Sequence, residues 1–165
     1  MIALIALAGL LDALRQADAR VAAVAWRLQT ANVAICRDVV PLAGLSIETL
    51  DQYRPTERAE ARAGLGLGDL PQISVVVPGS AAARAGLQVG DELVAIDDVP
   101  APPARAGQAS YERTAMIETA LAAALARPPA RLTLARRTVS LSGDPGCEST
   151  VQLVPENRFD ASAGS

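Results

Sequence analysis

Residues 73–97 constrain the fold more than any other part of the chain. Ile73, Val75, Val76 and Val77 are β-branched and predict a buried strand. Pro78-Gly79-Ser80 turns the chain, and Ser80 is placed to cap a short helix over residues 81–85. Gly86 supplies the left-handed position after that helix, and Leu87 supplies the apolar contact back onto it. Val89-Gly90-Asp91 turns the chain again, into a second strand over residues 92–96 that Asp97-Asp98 closes. Two strands joined through a one-turn helix in so short a span point to a small α+β domain.

The flanks fill out that domain. Ser110 is expected to cap a helix over residues 111–126, with Ile117, Leu121 and Leu125 as its core stripe and Pro128-Pro129 as its stop. Residues 131–134 and 138–141 alternate and predict paired strands, and residues 151–154 a further short strand. Residues 101–109, with Pro102, Pro103 and Gly107, are expected to form a flexible insertion. Upstream, residues 10–35 contain neither proline nor glycine and place Leu11, Leu14, Val21, Val24, Leu28 and Ile35 at near-helical spacing. They predict one long amphipathic helix. Residues 41–53 are expected to hold a short helical piece capped by Ser46, and Thr56 to cap another turn or two.

The run from Val77 through Asp97 resembles the central segment of PDZ domains, in which a strand passes through Pro-Gly-Ser into a short helix ended by Ala-Gly-Leu, and a Gly-Asp turn feeds the next strand. The resemblance covers residues 64–141 and implies a small twisted sheet or partial barrel with two covering helices, here preceded by the long N-terminal helix. The expected organisation is an N-terminal helical region (1–55), a PDZ-like domain (56–141) and a C-terminal strand and tail (142–165). The family binds a partner's C-terminus or internal extended segment by strand addition. By the same resemblance, the loop Gly64-Leu65-Gly66-Leu67 matches the family's carboxylate-binding loop; Met116 and Ala120, on one face of the late helix, either line the peptide groove or are ordinary core. Pro71 follows the loop closely and cannot donate to a ladder, so the ligand strand is expected to be short.

Composition narrows the chemistry. The chain has no histidine, and its fifteen basic residues are all arginine. Nucleophile activation by imidazole, H-E-x-x-H metal sites, Schiff bases and P-loop lysines are therefore excluded. Gly64-Leu65-Gly66-Leu67-Gly68 is G-x-G-x-G rather than G-x-G-x-x-G and runs toward a strand, which argues against a phosphate cradle. Net charge is −3 and aromatics are 2%, so nothing favours nucleic acid. No cofactor or metal is expected, and no intrinsic enzymatic activity. Ser80 reads as a helix cap and Asp97-Asp98 as a turn.

Cys36 and Cys147 form no C-x-x-C motif; they pair in an oxidising compartment or stand as two buried thiols elsewhere. Residues 2–11 are apolar but too short to span a bilayer. They read either as a signal-peptide core, with Ala17-Asp18-Ala19 as the cleavage site, or as the first turns of the long helix. The long helix, Cys36, Cys147 and the domain order together resemble the N-terminal half of bacterial envelope zinc peptidases. That resemblance implies a periplasmic or envelope location, an accessory rather than catalytic segment, and regulation of a peptidase. The two function classes in play are a peptide- or protein-binding module and a structural accessory domain with an occluded groove.

Overall fold

A computed structural model describes residues 2–148, with side chains from residue 11 onward; the expected strand at residues 151–154 lies outside the described residues. The chain opens with α1 (Ile2–Ala31), the helix that the proline-free run predicts. The Thr30 hydroxyl and the Asn32 side-chain amide donate to the Trp26 and Leu28 carbonyls at its C-terminal end. A single 3-10 turn (Val33–Ile35) follows.

Residues 39–48 are extended rather than helical. They form β1 (Val39–Leu42) and β2 (Leu45–Glu48), and Ser46 sits inside β2 instead of capping a helix. After a 3-10 turn (Leu50–Gln52) comes α2 (Arg58–Leu65), whose N-cap position is Glu57 and not Thr56. Then follow β3 (Gln72–Val76), α3 (Ala81–Arg84), β4 (Leu93–Ile96), β5 (Val99–Pro100) and α4 (Glu112–Leu125). The described part ends in β6 (Ala130–Leu134), β7 (Thr138–Leu141) and β8 (Asp144–Cys147).

The local signals in residues 73–97 do what their chemistry requires. Ser80 Oγ accepts from the Ala83 N–H at 3.2 Å, and Gly86 takes φ +76° after α3. Asp97 and Asp98 both have positive φ, as a two-residue hairpin turn between β4 and β5 demands. At α4 the cap differs from expectation: Tyr111 holds the N-cap position, while Ser110 Oγ accepts from the Glu112 N–H.

Three antiparallel arrangements result: β5-β4-β6-β7, β2-β3 and β1-β8. Backbone bonds from Ile73 N to Asp91 O and from Leu93 N to Pro71 O join β3 to the start of β4. The main core gathers Ile47, Ile73, Leu87, Leu93, Ile117, Leu121, Leu125, Leu132 and Leu141 from α4, the turn after α3, the β2-β3 pair and the four-stranded sheet. This is the α+β, PDZ-like fold expected, with α1 added. A smaller cluster of Leu50, Ala61, Leu65 and Leu67 packs against Leu11 and Tyr53, tying α2 to α1. No described side chain of α1 is fully buried, so the helix lies on the domain rather than in its core. A disulfide between Cys36 and Cys147 fastens its C-terminal end to β8.

Candidate functional site

β2 has a strand partner, β3, on one edge only. It forms the floor of a trough whose walls are helices. At one end a cavity of about 500 Å³ is bounded by Leu45 and Ile47 below, Glu118, Leu121, Ala122 and Leu125 of α4 on one side, and Ala22, Ala25 and Trp26 of α1 on the other. A second cavity, of about 620 Å³, shares Ala22 and Ile47 with the first and continues past Glu48 toward Gln52, Tyr53 and Tyr111. Val21, Ala25, Glu118 and Ala122 are solvent-exposed, so the trough is open.

The head of the trough is the two-residue link between β1 and β2. Gly44 takes φ +71°, where L side chains are strained. A Cβ there would collide with the Ser80 Cβ and come within 2.8 Å of Ser80 Oγ and 3.0 Å of the Trp26 ring. The Ala43 and Gly44 carbonyls are occupied: Ala82 N–H donates to the first, and Val77 N–H and Ser80 Oγ to the second. Their own N–H groups donate to nothing among the described residues. Two consecutive free N–H groups beside a left-handed glycine form a concave donor pair of the kind that holds a carboxylate or a carbonyl.

Electrostatics differ along the trough. Arg15 of α1 donates from Nη2 to Glu48 Oε2 at 2.5 Å, and the Tyr53 hydroxyl donates to Glu48 Oε1. Burial, then the bond to Glu48, holds the Tyr53 phenol well above its ordinary value. Glu118 has no such partner among the described residues, and partial desolvation alone raises its carboxyl above the usual range.

The residues expected to bind peptide lie elsewhere. Gly64 and Leu65 are in α2, and Gly66 ends that helix in the left-handed conformation. Leu65 and Leu67 are buried in the smaller cluster. Met116 is exposed and Ala120 packs against the main core; none of the six lines either cavity along β2. The strand that Pro71 was expected to shorten is β3, which pairs with β2 on one side and is joined to the start of β4 on the other. Sequence reasoning missed Ala43, Gly44 and β2. The available signal was Gly44 followed by Leu45-Ser46-Ile47-Glu48, an alternating apolar–polar run behind a glycine.

Among the described residues no group of three or more His, Cys, Asp or Glu is placed to hold a metal ion. No helix among them is long and apolar enough to cross a membrane. Ser80 is fully buried and committed to Ala83 and Gly44, so it is a cap. Arg62 donates to Asp69 and holds its carboxyl below the usual range, at the surface and away from the trough.

Against known families, residues 72–109 match the PDZ domain model. That match spans β3, α3, β4, β5 and the insertion, and supports PDZ kinship for the segment, a kinship of peptide- and protein-interaction modules. A search of curated proteins found no match.

Proposed function

We propose that this chain is a non-catalytic peptide- or protein-interaction module that takes an extended segment of a partner as an added strand on β2, between α4 and α1. The observation that carries this reading is the unpaired edge of β2 on the floor of an open trough that starts at the free Ala43 and Gly44 N–H groups. A strand laid antiparallel to β2 brings its C-terminal end to those donors, and its side chains fall alternately into and out of the apolar floor. Leu45, Leu121 and Leu125 form the floor and wall for an apolar anchor. The exposed wall residues favour binding over an occluded, purely structural role.

The disulfide favours an oxidising compartment, and the likeness to envelope peptidases suggests the periplasmic or envelope face as the setting and a peptidase as the regulated partner. Screening an immobilised library of random C-terminal and internal peptides against the full chain tests the central reading. A saturable binder weakened at least tenfold by Leu121→Arg is expected. A library with no saturable binder overturns the proposal.

A further inference from the structure

The trough carries a charge surplus that the chain itself leaves unmatched. Of the carboxylates along it, Glu48 is satisfied internally, by Arg15 on one oxygen and Tyr53 on the other. Asp18 on the α1 wall and Glu118 on the α4 wall have no ion-pair partner among the described residues. Arg15 is the one cation among the residues lining the two cavities. An incoming strand therefore meets an apolar floor with an open carboxylate on each side.

The pair Arg15–Glu48 shows what such a contact looks like: a guanidinium from one wall seated on a carboxylate of the floor at 2.5 Å. Glu118 borders the same cavity as Leu121 and Leu125, and Asp18 the neighbouring one, so the two carboxylates are met in that order from the Gly44 end.

Given strand addition to β2, on which this inference rests, we propose that the trough selects a basic segment. Its ligand has an apolar anchor near the C-terminal end and arginine or lysine side chains on the N-terminal side of that anchor, the first meeting Glu118 and the next Asp18. Charge complementarity decides between this and a neutral or acidic segment. A cation recovers Coulomb energy with both carboxylates, whereas a further carboxylate is repelled by both and gains nothing from the paired Arg15.

The test uses the oxidised full-length chain and fluorescence anisotropy with three labelled eight-residue peptides ending in leucine. They carry arginine, alanine or glutamate at the second and third positions before that leucine, one on the face toward Glu118 and one on the face toward Asp18. At low ionic strength the arginine peptide is expected to bind roughly three- to tenfold tighter than the alanine peptide, and the glutamate peptide weakest, with the spread shrinking as salt is added. Glu118→Gln combined with Asp18→Asn brings the three within about twofold, the scale of an exposed pair lost. Both positions are exposed, and a melting temperature no lower than that of the parent chain verifies the fold of the variant. Equal affinities for three saturable peptides overturn the basic preference and leave strand addition standing. A preference that survives in the double variant overturns its assignment to these two carboxylates. No saturable binding by any peptide overturns the trough as a ligand site altogether.

Discussion

At Gly44 the backbone runs at φ +71° with Ser80 and Trp26 packed where a side chain would begin, whereas Gly66 takes φ +68° with nothing within 4 Å. The two positions separate backbone strain from steric conflict. Gly66→Ala is expected to lose about 1 kcal/mol, the left-handed penalty alone. Gly44→Ala adds overpacking and is expected to lose about 2–4 kcal/mol, which urea midpoints of the two variants check directly. Equal losses would mean that Ser80 and Trp26 yield without strain. Glu118 gives a residue-scale pH effect. Partial desolvation raises its folded value, so its contribution to stability is full below the unfolded value of about 4.3 and is lost as pH rises through the raised folded value. Glu118→Gln is expected to flatten that portion of the stability–pH profile. Ser80, Gly86 and the Asp97-Asp98 turn were legible in the sequence because each answers a local backbone demand. Gly66 answers such a demand too, as a helix terminus, and the Gly64–Leu67 loop does not line the trough.

The insertion between β5 and α4 is held by one buried pair. Arg113 is 3% exposed and donates to the Pro102 and Asp69 carbonyls, while its Nη1 lies 3.7 Å from the buried Asp51 carboxylate. Burial pulls the Arg113 guanidinium down from its ordinary value, and Asp51 and Asp69 oppose that shift. Asp51 also accepts from the Arg105 N–H, and its carbonyl from the Ser110 N–H, so the insertion closes over the pair. Arg113→Leu leaves Asp51 buried and uncompensated and is expected to cost about 3–5 kcal/mol. Adding Asp51→Asn recovers part of that loss, and a double-mutant cycle measures how much; simple additivity would deny the coupling. Elements of this length explain what the sequence hid. α1 and α4 show their periodicity over several turns. β1 and β2 are four residues each, broken by Pro41 and the Ala43-Gly44 link, and their Leu42, Leu45 spacing imitates a helix. Their strand character comes from partners far along the chain, Val39 opposite Cys147 and Leu45 opposite Val76, which no local pattern carries.

For the molecule as a whole, α1 matters because it supplies one wall of the trough while contributing no fully buried side chain. The Cys36–Cys147 bond spans 111 residues of sequence and fixes that wall's C-terminal end to β8. Cys36→Ser with Cys147→Ser is expected to lower stability by up to about 4–5 kcal/mol on the chain-entropy account, read from denaturant midpoints. A negligible shift would mean that α1 is held without the bond. The PDZ-like body was readable from residues 73–97; the addition of α1 as a trough wall was not, since helix-to-body packing depends on three-dimensional placement of Arg15, Ala22 and Trp26. Addition of a partner segment to β2 is read most plainly from backbone amide shifts of the full chain during titration with a saturably binding peptide. Perturbations are expected at Ala43, Gly44, β2, Leu121 and Leu125. Perturbations confined to Gly64–Leu67 and Met116, with β2 silent, would contradict it.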